Sequence, residues 1–349
     1  MSETTPSEAT NLSYIAAVQK ALRWAMESRD DTVYFGEDVA IPGGPFGATK
    51  GLWKDFGPRT DDSGRELPPR IFDTPISETG FLGMALGAAM TGLRPIAEIM
   101  YADFFFVAFD QVVNQISTMR YSSNGRVRVP LTIRTQGGYS PGACAQHSHS
   151  IEAYLAHTPG LRVAVPATPD DAYQMNRTAV ASDDPVIVHE VRMLYPGKGP
   201  VRLDAPVEDL GGARVVRPGT DVTIVAWSRM VGDALAAAEQ LADEGIEAEV
   251  VDLRWLAPLD FGTVRESLGR TGRLVVAHEA NLTGGFGAEI AARAAEQCFD
   301  QLRAPVARVG LPDLPMPAAP ALQEAVVPGV SQVIDAVRSV LAAAGSSRH

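Results

Sequence analysis

Glu78 is an isolated acid in a stretch that is otherwise almost free of charge. In DTPISETGFLGMALGAAMTGLRP, residues 73–95, the thirteen residues Phe81–Leu93 carry no charge and are typical of a buried helix. One interpretation of Glu78 is structural, because a carboxylate at a helix start interacts well with the helix dipole. The other is chemical: a carboxyl group in a dry crevice without a basic partner can share a proton with a bound ligand. The small residues Gly83 and Gly87 favour the second, since they let the helix lie close to a neighbouring backbone.

Two histidines, His147 and His149, form a second group with chemical potential. Together with Cys144 they suggest a metal site, but their spacing matches no common zinc pattern, and structural zinc takes four ligands. We expect only one of the two histidines to face a site. A neutral imidazole there donates to an oxyanion or transfers a proton near neutral pH.

The composition disfavours several classes of protein. The 349 residues are 46% hydrophobic and 21% charged, which is ordinary for a globular protein of two domains. A net charge of −12 disfavours a nucleic-acid partner. The longest apolar run is well below the roughly 20 residues that span a bilayer, and the acidic N-terminus lacks the basic segment of a signal peptide. Two cysteines predict no disulfide framework. We therefore expect a soluble cytoplasmic protein that binds neither nucleic acid nor a membrane.

The elements that must position these residues are those of an α/β fold. Continuous apolar strands that alternate with helices are typical of a parallel sheet covered on both faces. The predicted strands of the first half are TVYFGEDV, RIFDTP, RPIAEIM, VPLTIRTQ, LRVAVPA and PVIVHEV, and the predicted helices cover residues 13–28, 51–56, 79–92, about 104–121 and 169–181.

The pattern restarts after a segment rich in Gly, Pro and charge. The second half contains the predicted strands DVTIVAW, AEVVDL, RLVVAHE and PVARVGL, with Ser228 as the N-cap of a helix that reaches Asp243. We divide the chain into a flexible N-terminus (residues 1–12), a first domain (13–195), a linker (196–218) and a smaller second domain (219–343).

Several stretches of the sequence resemble one enzyme family. RIFDTPISETGFLGMALGAAMTGLRPIAE, FDQVVNQ and AQHSHSIEAYLAHTPGLRVAVPATPDDA are similar to the β subunits of thiamine-diphosphate-dependent 2-oxoacid dehydrogenases. That family comprises the decarboxylating components of the pyruvate and branched-chain 2-oxoacid dehydrogenase complexes, and the acetoin dehydrogenases. The resemblance runs from about Tyr14 to Leu341. It implies a transketolase-like pyrimidine-binding domain followed by a transketolase C-terminal-like domain.

The resemblance implies a role for each candidate residue. Glu78 matches the glutamate that hydrogen-bonds N1′ of the aminopyrimidine of thiamine diphosphate, where a shared proton favours the imino form that deprotonates thiazolium C2. Met100 and Phe104 match apolar groups that pack against the aminopyrimidine, although both are also ordinary core residues by position. His147 matches the histidine near the substrate and the incoming lipoyl group, and His149 is expected to support it or to lie at the surface.

A monovalent-cation site is also implied by the resemblance. Backbone carbonyls would bind K⁺ at Leu131, Ala179, Val180, Ser182 and Asp184. Relatives often have Asp at position 182 and Asn at position 184, and a plain helix C-terminus explains residues 179–185 equally well.

The sequence lacks the Gly-Asp-Gly…Asn-Asn motif that holds magnesium and diphosphate in thiamine enzymes. The resemblance therefore implies an α subunit that supplies this site, with the cofactor bound between subunits of an α2β2 heterotetramer. The reaction implied is oxidative decarboxylation of a 2-oxo acid, with acyl transfer to a lipoyl domain on the acyltransferase core of the complex.

Other functions compete with this interpretation. A self-sufficient transketolase-like enzyme would need the missing magnesium motif, and a 2-oxoacid:ferredoxin oxidoreductase would need cysteine clusters for iron–sulfur centres. An acetoin dehydrogenase β subunit and a non-catalytic assembly subunit remain open. The substrate also stays open, because AQHSHS resembles the pyruvate and acetoin types whereas YADFFFVAFDQ resembles the branched-chain type.

Overall fold

The computed structural model describes residues 9–346, and side chains through Ala343. The strands are Thr10–Ser13 (β1), Thr32–Gly36 (β2), Arg59–Thr60 (β3), Glu66–Leu67 (β4), Ile71–Asp73 (β5), Arg94–Ile99 (β6), Thr132–Gly137 (β7), Arg162–Ala164 (β8), Val186–Val191 (β9), Lys198–Val201 (β10), Arg214–Arg217 (β11), Val222–Ala226 (β12), Ala248–Asp252 (β13), Trp255–Ala257 (β14), Leu274–Asn281 (β15) and Ala307–Leu311 (β16). The α-helices are Tyr14–Ser28 (α1), Leu52–Phe56 (α2), Glu78–Met90 (α3), Met119–Ser122 (α4), Glu152–Ala156 (α5), Pro169–Ala181 (α6), Arg229–Ala242 (α7), Phe261–Thr271 (α8), Gly287–Gln297 (α9), Pro320–Val326 (α10) and Val330–Ser346 (α11).

Two sheets with mostly parallel strands form the framework, as the continuous apolar strands predict. The larger sheet has the strand order β14-β8-β9-β7-β6-β2-β5, and only β14 runs antiparallel to its neighbour. The smaller sheet has the order β11-β13-β12-β15-β16, with β11 antiparallel. The predicted α/β fold class is confirmed.

Helices cover both faces of the larger sheet. Residues of α1 pack with Tyr34, Ile71 and Ile96 on one face. On the other face, α3 residues share one hydrophobic cluster with strand residues of both sheets, including Ile133 and Val276. The two domains are therefore joined by a continuous apolar core, and β14 extends from the second half of the chain to the edge of the first sheet.

Local sequence explains the best predicted helix, α6. Thr168 accepts the N–H of Asp171 as N-cap, and Pro169 occupies the first turn, where its missing N–H costs no hydrogen bond. The acids Asp170 and Asp171 lie at the positive end of the helix dipole. The structure places this helix at Pro169–Ala181, as predicted.

Other local predictions differ from the structure. The single helix predicted over about 104–121 is replaced by a 3₁₀ helix (Ala102–Phe106), a π-helix (Gln111–Ile116) and the short α4. Apolar periodicity does not distinguish these windings, which tertiary contacts select. Ser228 precedes α7 but makes no side-chain cap, because its φ of 51° departs from the extended backbone of an N-cap residue.

The termini of the predicted domains also change. Thr10–Ser13 pairs with Lys198–Val201 as an antiparallel ribbon, so a flexible terminus is wrong for residues 10–12, while residues 1–8 lie outside the described part. The predicted linker, residues 196–218, contains β10 and β11, each paired with a distant strand. Such pairing depends on partners far away in sequence, which local composition does not reveal.

Within residues 9–346, one helical stretch, Pro320–Ala343, is long and apolar enough to cross a membrane by length and composition, with a mean hydropathy of 1.3. It consists of two helices, since α10 ends at Val326 and α11 begins at Val330. Val333 and Val337 of α11 are fully buried in the second core. We interpret α11 as a helix of the second domain that packs one apolar face on its core.

A buried ion-pair network lies within the larger sheet. Arg134, fully buried, donates to both carboxylate oxygens of Glu190 at 2.9 and 2.8 Å, to Glu98 at 2.6 Å and to the hydroxyl of Tyr34 at 2.7 Å. Tyr195 donates to Glu190 at 2.7 Å. The guanidinium is thus the only basic group bonded to two buried carboxylates among the described residues.

We expect Arg134→Met to reduce the free energy of unfolding by about 3–5 kcal/mol, because both carboxylates would stay buried without a counter-charge. Guanidinium unfolding followed by tryptophan fluorescence measures the change. Arg128→Met is the control, since Arg128 is exposed and its pair with Asp183 is worth at most about 1 kcal/mol. Equal losses in the two variants would contradict the prediction.

Candidate active site

Glu78, Met100 and His147 follow the carboxyl ends of neighbouring strands of the larger sheet. Strands β5, β2, β6 and β7 are adjacent and parallel, so their carboxyl ends lie at one edge. Glu78 follows β5, Met100 follows β6, and the loop of residues 138–149, which carries His147, follows β7. Open parallel sheets bind ligands at this edge. The strand order thus brings residues that are up to seventy positions apart in sequence to one place.

Glu78 is the first residue of α3, and it is only 5% exposed. Within residues 9–346, its carboxylate has no hydrogen bond and no ion pair. The neighbouring Thr79 donates to the carbonyl of Val107 at 2.7 Å, which ties the first turn of α3 to the segment after β6. Burying a carboxylate without a partner is costly. A ligand that donates a hydrogen bond to this carboxylate, or shares a proton with it, would offset this cost.

The glycines of α3 act differently from the prediction. A Cβ added at Gly83 would meet only the side chain of Gln111, at 3.5 Å, and one added at Gly87 would meet nothing within 4 Å. The prediction that these glycines let a neighbouring backbone approach the helix closely is therefore wrong within the described chain. Gly87 lies on the exposed face of the helix, whereas the core-facing positions are Phe81, Leu82 and Ala85.

Glu37, directly after β2, is a second buried acid that the sequence analysis missed. It is 6% exposed, and one of its carboxylate oxygens has no hydrogen-bond partner among the described residues. Burial and then the charge of Glu78 raise the pKa of Glu37 to about 7. Near neutral pH, Glu37 therefore binds a proton more readily than an ordinary glutamate. The acid in FGEDV at a strand end was the available signal.

Aromatic residues surround His147. Phe104 and His147 have ring centroids 5.5 Å apart with an edge-to-face orientation, and Tyr101 lies at the same distance. Met100 and Phe104 are both half-buried. The structure thus brings Phe104, a predicted cofactor contact, together with His147, and adds Tyr101, which the sequence analysis did not identify.

His149 has different partners from His147. Its side chain is 56% exposed, its ring Nδ1 contacts the carboxylate of Asp103, and its N–H donates to the same carboxylate at 3.2 Å. The carbonyl of His149 accepts the N–H of Gly138 at 3.0 Å. His149 therefore joins the end of the loop to its start at Gly138, whereas the ring of His147 packs against Tyr101 and Phe104.

Arg192, at the end of β9, fastens the same loop from the side. Its guanidinium donates to the carbonyls of Gly138, at 3.2 Å, and of His147. It also lies over the ring of Tyr101, with the guanidinium carbon 4.7 Å from the ring centroid. The backbone at His147 is consequently held at a defined distance from the start of the loop.

The five carbonyls of the predicted cation site already accept hydrogen bonds. Leu131 accepts the N–H of Val186, Ala179 accepts the N–H of Ser182, Val180 and Ser182 accept from Arg94, and Asp184 accepts from the hydroxyl of Ser182. A carbonyl has two lone pairs, so each oxygen keeps one for an ion. The cation site stays a prediction.

Comparison with known proteins agrees with this fold. The model of the family "Transketolase, pyrimidine binding domain" matches residues 10–198, and that of "Transketolase, C-terminal domain" matches residues 211–333. A solved structure titled "Split gene transketolase, inactive beta4 tetramer" superposes with a TM-score of 0.74 at 27% identity, covering 95% of this chain and 99% of that chain. The fold and the two family models together define a two-domain protein of the transketolase type.

Curated relatives narrow the class. The pyruvate dehydrogenase E1 component subunit beta of Leifsonia xyli is 43% identical over 333 residues, covering 95% of both chains. The 3-methyl-2-oxobutanoate dehydrogenase subunit beta of Mycobacterium tuberculosis is 42% identical over 334 residues, covering 95% of this chain and 92% of the relative. This chain belongs to the family of β subunits of the decarboxylating E1 component of 2-oxoacid dehydrogenases.

Proposed function

We propose that this chain forms, with an α subunit, an α2β2 thiamine-diphosphate enzyme that oxidatively decarboxylates a 2-oxo acid and transfers the acyl group to a lipoyl domain of its complex. The observation that carries the proposal is the buried carboxylate of Glu78, which has no partner in the described chain and lies at the ligand-binding edge of the sheet. The protein would be a soluble cytoplasmic enzyme.

The residues present suit the pyrimidine half of the cofactor. Glu78 would hold N1′ through a shared proton, and its isolation from basic side chains keeps that proton available. Met100 and Phe104 would pack against the apolar face of the aminopyrimidine. When bound, thiamine diphosphate supplies a carbon nucleophile and an electron sink for the loss of CO₂.

His147 would act on the substrate side of the site. Its ring packs edge-on against Phe104, so a group bound beside Phe104 lies within reach of the imidazole. An imidazole there would stabilise an oxyanion or exchange a proton during acyl transfer to the lipoyl group. Arg192 would keep its backbone in place through the loop contacts described above.

The diphosphate half of the cofactor calls for another chain, because the magnesium motif is absent from this sequence. We expect the isolated chain to bind thiamine diphosphate weakly, with no binding at micromolar concentration, and to turn over no 2-oxo acid. Co-expression with the cognate α subunit should restore both properties.

Isothermal calorimetry and a dye-reduction assay measure these two properties. The reconstituted enzyme is assayed with four compounds: pyruvate, 3-methyl-2-oxobutanoate, 2-oxobutanoate and acetoin. The compound with the highest kcat/KM is identified as the substrate. Micromolar cofactor binding by this chain alone would overturn the shared site. A reconstituted enzyme with cofactor bound but inactive on all four compounds would favour the assembly subunit instead.

A further inference from the structure

Glu279 connects the second domain to the loop that carries His147. It lies near the end of β15, is 5% exposed, and one of its carboxylate oxygens accepts the backbone N–H of Tyr139. Tyr139 is the second residue of the loop of residues 138–149. The first domain builds this loop, but a side chain 140 positions away fixes its beginning.

Arg229 fixes Glu279 in turn. Its Nε donates to the other carboxylate oxygen of Glu279, while its two Nη atoms donate to Asp233 at 2.5 Å and to the carbonyl of Pro328 at 2.9 Å. Three partners from different elements leave the guanidinium little freedom. The carboxylate of Glu279 is therefore pre-oriented toward the loop, and a charged acceptor strengthens its bond with the Tyr139 N–H.

The loop is shaped to receive this carboxylate. Gly138 has a φ of +73°, a backbone conformation that favours glycine, and a Cβ there would lie 2.6 Å from a carboxylate oxygen of Glu279. Its N–H is bonded to the carbonyl of His149, and its carbonyl shares the Arg192 guanidinium with the carbonyl of His147. A shift of the backbone at Tyr139 would therefore be transmitted toward His147 by two routes. One is the hydrogen bond between Gly138 and His149, and the other is the Arg192 guanidinium that bonds the carbonyls of Gly138 and His147.

We propose that Glu279 is a positioning residue for His147. The second domain would then hold the loop of residues 138–149 in place as well as contribute to assembly. The proposal rests on the role of His147 proposed above. It assigns to Glu279 no contact with the substrate. Loss of the carboxylate would release the start of the loop and misplace the imidazole.

The experiment uses the reconstituted α/β enzyme with Glu279→Ala. We expect acylation of the lipoyl domain to slow between about 10- and 100-fold, the scale of a misplaced reacting group. Decarboxylation with a dye electron acceptor should change much less. Hydrogen exchange of a peptide covering residues 138–149 should become faster, which is a readout independent of activity.

Glu249→Ala is the matched control. Glu249 lies in the same domain, is 3% exposed and pairs with Arg270, but it has no hydrogen bond with the loop. It should leave loop exchange and the acylation-to-decarboxylation ratio as in wild type. Glu279→Gln keeps an acceptor but loses the charge, so it should give intermediate values. If Glu279→Ala does not assemble, wild-type exchange and acylation in Glu279→Gln would overturn the proposal.

A double variant separates this proposal from the proposed function. If Glu279 acts through His147, adding Glu279→Ala to His147→Ala should cause little further loss of acylation. Fully multiplicative losses, or equal losses in Glu249→Ala, would overturn the positioning role. An acylation rate unchanged by His147→Ala would instead reject the role of His147, whatever Glu279→Ala does.

Discussion

We expect Glu78→Gln to slow hydrogen–deuterium exchange at thiazolium C2 of the bound cofactor by about 10²–10⁴-fold in the reconstituted enzyme, the range typical of a lost acid–base group. Gln has nearly the same shape and still hydrogen-bonds N1′, but it has no ionisable proton to share. Cofactor affinity should therefore be largely kept. Exchange is measured by NMR after an acid quench, and affinity by calorimetry.

The stability of Glu78→Gln provides a second readout. The substitution removes a buried carboxylate without a partner and its repulsion of Glu37, so the melting temperature should stay unchanged or rise slightly. Glu152→Gln is the control, because Glu152 is also a buried acid in the first turn of a helix, yet it bonds the indole of Trp227. If C2 exchange in Glu78→Gln is as fast as in wild type, Glu78 has no role in proton transfer and is only an acid at a helix N-terminus.

His147→Ala should impair reductive acylation of the lipoyl domain by about 10²-fold or more, as expected for a lost acid–base group. The fold should be preserved, since the side chain is half-buried and its ring contacts within residues 9–346 are edge-on contacts with Tyr101 and Phe104. Single-turnover acylation measures the loss, and thermal unfolding checks the fold.

His149→Ala is the matched control for His147→Ala. Its ring is mostly exposed and contacts Asp103, so we expect a smaller effect on acylation. Unchanged acylation in His147→Ala, with an unchanged melting temperature, would show that its imidazole serves packing alone. Equal losses in the two variants would indicate a general disturbance of the loop.

The sequence by itself determined the features that depend on short-range rules. Alternating apolar strands and helices specify the α/β class, and Thr168, Pro169 and two acids define the start of α6 because caps act within one turn. The isolation of Glu78 is equally visible, since no charged residue lies between it and Arg94. These properties need no knowledge of strand order.

Only the tertiary structure decided which residues lie near the candidate site. Glu37 lies beside Glu78 because β2 is the neighbour of β5, and Glu279 reaches Tyr139 because the two domains share one core. The windings between Ala102 and Ser122 and the pairing of β1 with β10 likewise depend on distant partners. Such contacts join residues far apart in sequence, and neither periodicity nor local spacing records them.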